Sequence, residues 1–120
     1  MKRAGKPMSF QLGDKKCTIL EFFEESVPWL YGLALRRRGI SSNASMDDEA
    51  FEYLWRYRED ISVDVCDRLF MFPDTLDSDG FVKSMWLVAP PEEEERWEIF
   101  LQPLRSRWPR YIKPVLVRFD

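Results

Sequence analysis

The chain predicts an α+β fold, with two or three helices packed on one face of a mostly antiparallel sheet. Three observations carry that expectation. Two strictly alternating segments flank Gly13-Asp14, a run at helical spacing fills residues 18–39, and a β-rich segment over 81–88 follows an Asp- and Gly-rich turn. The sheet is expected to combine an N-terminal hairpin, a central hairpin and a C-terminal strand. At 120 residues the chain makes one domain by size, with residues 1–6 expected to be flexible.

The N-terminal hairpin is specified down to its register. Met8, Phe10 and Leu12 alternate with Ser9 and Gln11, and Cys17 and Ile19 alternate with Lys16 and Thr18. A two-residue turn at Gly13-Asp14 sets Leu12 against Lys15, Phe10 against Cys17 and Met8 against Ile19, so apolar pairs share one face.

Residues 18–39 read as the organising helix. Leu20, Phe23, Val27, Leu30 and Ala34 recur at spacings of three and four. Glu21, Glu24 and Glu25 lie in the first turns, Arg36, Arg37 and Arg38 in the last, and Gly39 offers a left-handed stop. Pro28 predicts a kink or restart. Ser45, with Asp48 three residues on, then begins a second helix carrying Ala50, Phe51 and Leu54 on one side.

Residues 61–72 fit either period, with a buried strand favoured for the second half. Residues 73–80 have turn chemistry, and 81–88 complete a central hairpin around an acidic loop. Pro90-Pro91 before Glu92 to Glu95 predicts a helix start that runs to about Gln102, where Pro103 interrupts it. Residues 115–119 close the chain as a strand, expected at a sheet edge or just after Pro114.

Charge is segregated along the sequence. Residues 1–39 carry a net +4, residues 40–95 a net −11 and residues 96–120 a net +4. The basic ends either neutralise the acidic middle or leave separate charged faces for partners.

Several chemistries are missing. Without histidine there is no Ser-His-Asp or Cys-His arrangement, and no zinc site that needs imidazole. No Gly-rich phosphate loop is present. The loop at 73–80 fails as a calcium site, since Trp86 falls where the bidentate Glu belongs. The expectation is a non-enzymatic protein that uses no cofactor and no metal. Cys17 and Cys66, the absence of an apolar run of membrane length and the absence of a signal core point to a reduced, cytoplasmic protein.

What the sequence holds in excess is rings: five Trp, four Tyr and nine Phe. Together with the acidic middle, such a surplus predicts an aromatic and acidic surface that binds a protein partner, with self-association as a homodimer. The candidate contacts are Asp47, Asp48, Glu49, Tyr53, Trp55 and Tyr57. Two alternatives remain: an aromatic-lined pocket for a small ligand, and an anion or nucleic-acid surface at Arg105, Arg107, Trp108, Arg110 and Tyr111. Nucleic acid is the disfavoured partner, because the whole chain is acidic, with a pI of about 5.1.

Overall fold

A computed structural model describes residues 8–23, 26–88 and 96–120. The expectations of a flexible stretch at 1–6 and of a helix start at Glu92 to Glu95 lie outside the described residues. Among the described residues, two α-helices and a mostly antiparallel six-stranded sheet give an α+β fold.

Strands β1 (Met8–Leu12) and β2 (Lys15–Leu20) form the expected hairpin in the expected register, from Met8 opposite Ile19 to Leu12 opposite Lys15. Gly13 takes φ +62° in the turn, a conformation open to glycine without steric cost.

The helix expected over 18–39, with a kink or restart near Pro28, is not formed ahead of that proline. Thr18 to Leu20 stay in β2, because Thr18 and Ile19 pair on both sides, with β1 and with β8 (Pro114–Phe119), and Leu20 pairs with β8. All of Cys17 to Leu20 are buried, so tertiary pairing overrides the local helical spacing. A short strand β3 (Trp29–Tyr31) follows Pro28, and only then does α1 (Gly32–Ser41) begin. Gly39 is not its stop. It lies buried inside the helix, where a side chain would meet Leu116 and Met46, and the chain turns at Asn43 with φ +57° instead.

Helix α2 (Asp48–Arg56) starts from Asp47, whose carboxylate accepts the Ala50 N–H at 3.0 Å. Ser45, the expected start, is taken by the sheet: it bridges to Val117, and its hydroxyl accepts the Phe119 N–H at 3.1 Å. Strand β4 (Leu69–Phe72) is buried throughout and pairs antiparallel with β5 (Phe81–Leu87), giving the central hairpin.

Residues 97–102 are strand rather than helix. Strand β6 (Trp97–Pro103) pairs with β5 along its whole length, and Ile99, Phe100 and Leu101 suit that pleated position. A short β7 (Arg107–Pro109) pairs with β3 in a separate two-stranded ribbon. The C-terminal strand β8 is central rather than at an edge, in the order β1-β2-β8-β4-β5-β6. Its contact with β4 is parallel.

Alternation along the strands builds a core on each face of the sheet. Phe70, Phe72, Met85, Val115 and Val117 pack with Phe51 and Leu54 of α2, whereas Leu69, Met71, Val82 and Leu116 pack with Leu35 of α1 and with Trp108. The two helices therefore serve opposite cores, not one face as expected. A sheet with both faces dry needs cover on both sides.

Candidate functional site

Beside α2 lies an open groove of about 540 Å³, bounded by the loop at 44–46, one side of α2 from Glu49 to Arg56, Lys15 of the first hairpin and Phe119. Of the six expected contacts, Asp47, Glu49 and Tyr53 line it. They meet there because the Asp47 cap starts the helix at this point and because positions 49 and 53, four apart, share a helix side.

The other three lie elsewhere. Asp48 faces the sheet and pairs with Lys83 at 2.9 Å, whose ammonium also sits over the Phe51 ring. Trp55 stacks on Phe51 and carries the Arg58 guanidinium 4.3 Å above its ring. Tyr57 packs against Tyr53, with ring centroids 4.8 Å apart, and would contact any side chain placed at Gly13.

The remaining lining includes Glu52, Arg56 and Asp74. Glu52 was legible as the helical neighbour of Glu49. Asp74, Lys15 and Phe119 arrive from distant segments, and no local signal marks them. Asp74 is held by Arg36 at 2.6 Å, but among the described residues neither Glu49 nor Glu52 enters an ion pair.

Tyr53, in the groove lining, is anchored by its hydroxyl. Its hydroxyl lies 2.6 Å from the Leu12 carbonyl and 2.9 Å from Asp14 Oδ1. Loss of solvent and the hydrogen bond to Asp14 raise its pKa above the ordinary tyrosine value.

The basic C-terminal candidates do not converge. Trp108, only 1% exposed, is a core residue under α1 and offers no stacking face. The reason is its position in β7, which turns it onto the second core. Arg107 instead lies over Trp29, 4.5 Å from the ring centre, with Tyr31 edge-on to the same indole. Arg105 borders a different groove, with Leu33 and Leu76. Arg110 and Tyr111 sit on the short turn Arg110–Ile112, and Tyr111 is 83% exposed.

Neither cysteine is in a disulfide, and burial followed by the nearby Asp120 carboxylate pushes the Cys17 thiol up to about 12. It is no nucleophile at neutral pH. In the acidic loop the Asp77 carboxylate accepts the N–H groups of Asp79 and Phe81, so it serves the turn. Among the described residues no group of three or more His, Cys, Asp or Glu is arranged around a metal position. Among them, too, no helix is long and apolar enough to cross a membrane. No family model, no curated protein and no solved structure matches this chain.

Proposed function

We propose that this chain is a non-catalytic cytoplasmic binding module whose groove beside α2 takes a basic segment of a partner protein. The observation that supports the reading most directly is the pair Glu49 and Glu52, two groove carboxylates without an ion-pair partner among the described residues. Tyr53 and Phe119 add aromatic surface to the same lining, and Asp47, whose carboxylate also caps α2, adds a third carboxylate. A surplus of carboxylates in a groove steers a basic partner and sets its register. Lys15 and Arg56 at the same groove would favour a partner segment that alternates its charges over one that is uniformly basic.

The test compares two columns, one bearing the full chain and one bearing Glu49→Lys/Glu52→Lys, loaded with host lysate at physiological salt. A protein held by the first and released by the second is the expected result. Equal retention on both columns, or retention on neither, would remove the acidic groove from the function.

A second reading rests on the Arg107, Trp29 and Tyr31 cluster, which joins a cation to exposed ring surface as single-stranded nucleic acid requires. It predicts oligonucleotide binding at low salt that is lost in Arg107→Ala. No binding at low salt ends that reading.

A further inference from the structure

Among the described residues, strand β6 forms one edge of the large sheet, and its middle is apolar. Ile99, Phe100 and Leu101 are 45%, 36% and 57% exposed. An exposed apolar edge is a template for pairing unless charge, proline or a bulge blocks it. The opposite edge, β1, shows solvent Ser9 and Gln11 at its outward positions.

The hydrogen bonding of β6 fixes which backbone groups are spare. The Arg96 carbonyl accepts the Val88 N–H at 2.9 Å, and the Leu104 N–H donates to the Gly80 carbonyl at 3.0 Å. By antiparallel alternation the even positions face β5, so Trp97, Ile99, Leu101 and Pro103 point their backbone polar groups away from the sheet. Pro103 lacks its N–H at one of these outward positions, as proline in an edge strand requires. Ile99 and Leu101 keep both donor and acceptor.

The geometry points to pairing of β6 with β6 of a second copy of this chain, antiparallel about a two-fold axis at Phe100. In this register Ile99 lies opposite Leu101 of the second copy and exchanges both hydrogen bonds with it, while Phe100 meets Phe100 at the close, non-hydrogen-bonded position. Charge agrees with this register. Glu98, the one charged residue of β6, falls opposite the Gln102 amide of the second copy and roughly 13 Å from the other Glu98. Shifting the axis to Leu101 would move the donor-less Pro103 from opposite Trp97 at the strand end to opposite Ile99 beside the axis; shifting it to Ile99 would press Glu98 against the Phe100 ring. The result is a continuous sheet of twice six strands, with an isologous contact. This surface is separate from the groove beside α2, so either can fail without the other.

Sedimentation equilibrium of the full chain should show a dimer. Leu101→Lys, an edge charge that disturbs nothing internal, should weaken it roughly tenfold or more with an unchanged circular dichroism spectrum. Register is read by oxidation in a Cys66→Ser background. Phe100→Cys should cross-link across the axis, where Cα atoms about 4.5 Å apart suit a disulfide, and Ile99→Cys, with Cα atoms roughly 8 to 9 Å apart, should not. A chain that stays monomeric at every concentration overturns the inference. So does a dimer indifferent to Leu101→Lys, or one that cross-links through position 99 and not 100.

Discussion

The Tyr53 hydroxyl reaches from α2 to the Leu12 carbonyl at 2.6 Å, tying the helix to the last residue of β1. The one phenolic proton is shared with the Asp14 carboxylate, so the same bond also holds the hairpin turn. Removing the hydroxyl leaves both acceptors without it. Tyr53→Phe should cost about 1 to 2 kcal/mol in urea unfolding near neutral pH. Because the folded pKa is raised, the contribution is complete below the ordinary tyrosine range and is lost as pH rises through the folded value. The difference between Tyr53→Phe and the parent should therefore narrow in alkali, and a difference that widens would contradict the bond.

Gly32 opens α1 where the helix passes under the residue 104–108 segment, its N–H donating to the Ser106 carbonyl at 3.1 Å. A methyl group there would strike the Leu104 carbonyl and come within 2.7 Å of the Trp108 indole nitrogen. The Leu104 backbone is itself fixed by its bond to Gly80, so it cannot retreat. Gly32→Ala should lose about 3 kcal/mol, the upper end for overpacking. Gly80→Ala is the control, since its φ of +85° carries conformational strain but no atom lies within 4 Å of the new methyl. It should cost only about 1 to 2 kcal/mol. Equal losses in the two variants would show that contact at Gly32 adds nothing.

The first hairpin was legible to the residue because alternation and a Gly-containing turn are local signals. The failure over residues 18–39 has the opposite cause. Leu20 looks like the first residue of a helical stripe, yet it is the partner of Leu116, nearly a hundred positions away. The same holds for Trp97 to Leu101, whose helical spacing gave way to pairing with β5. Burial of Trp108 and the arrival of Phe119, Lys15 and Asp74 beside α2 are likewise products of topology. In the candidate groove, Asp47, Glu49 and Tyr53 were readable because one helix carries them.

Thiol chemistry separates the two cysteines. Cys17 lies in a central strand with no exposed surface and a pKa pushed to about 12, whereas Cys66 is only half-buried, in the segment before β4. Thiolate is the reacting species. A disulfide reagent at pH 8 should modify one thiol in the native chain and two after denaturation, with Cys66→Ser abolishing the native reaction. Modification of Cys17 in the folded state would show that β2 opens.

Asp67 joins two cations at the entrance to β4. Its carboxylate meets Lys113 Nζ at 2.6 Å and Arg68 Nη1 at 3.1 Å. Partial burial pushes the carboxyl pKa up, but the Lys113 hydrogen bond and the charges of Arg68 and Lys113 together bring it below the usual aspartate value. Lys113 is held at φ +51° next to Pro114, and its carbonyl accepts the Leu69 N–H, so the ion pair sits where β4 and β8 come together. A depressed carboxylate stabilises the fold above its unfolded pKa, and the effect disappears as pH falls through the folded value. Asp67→Asn should be less stable than the parent at pH 7, and the gap should close on acidification below the ordinary aspartate range. Half of the Asp67 side chain is exposed, so added salt should also shrink the gap at pH 7. Urea midpoints at pH 7 and pH 3, each with and without salt, read both effects. A gap independent of pH would mean that Asp67 acts through packing and not through its charge.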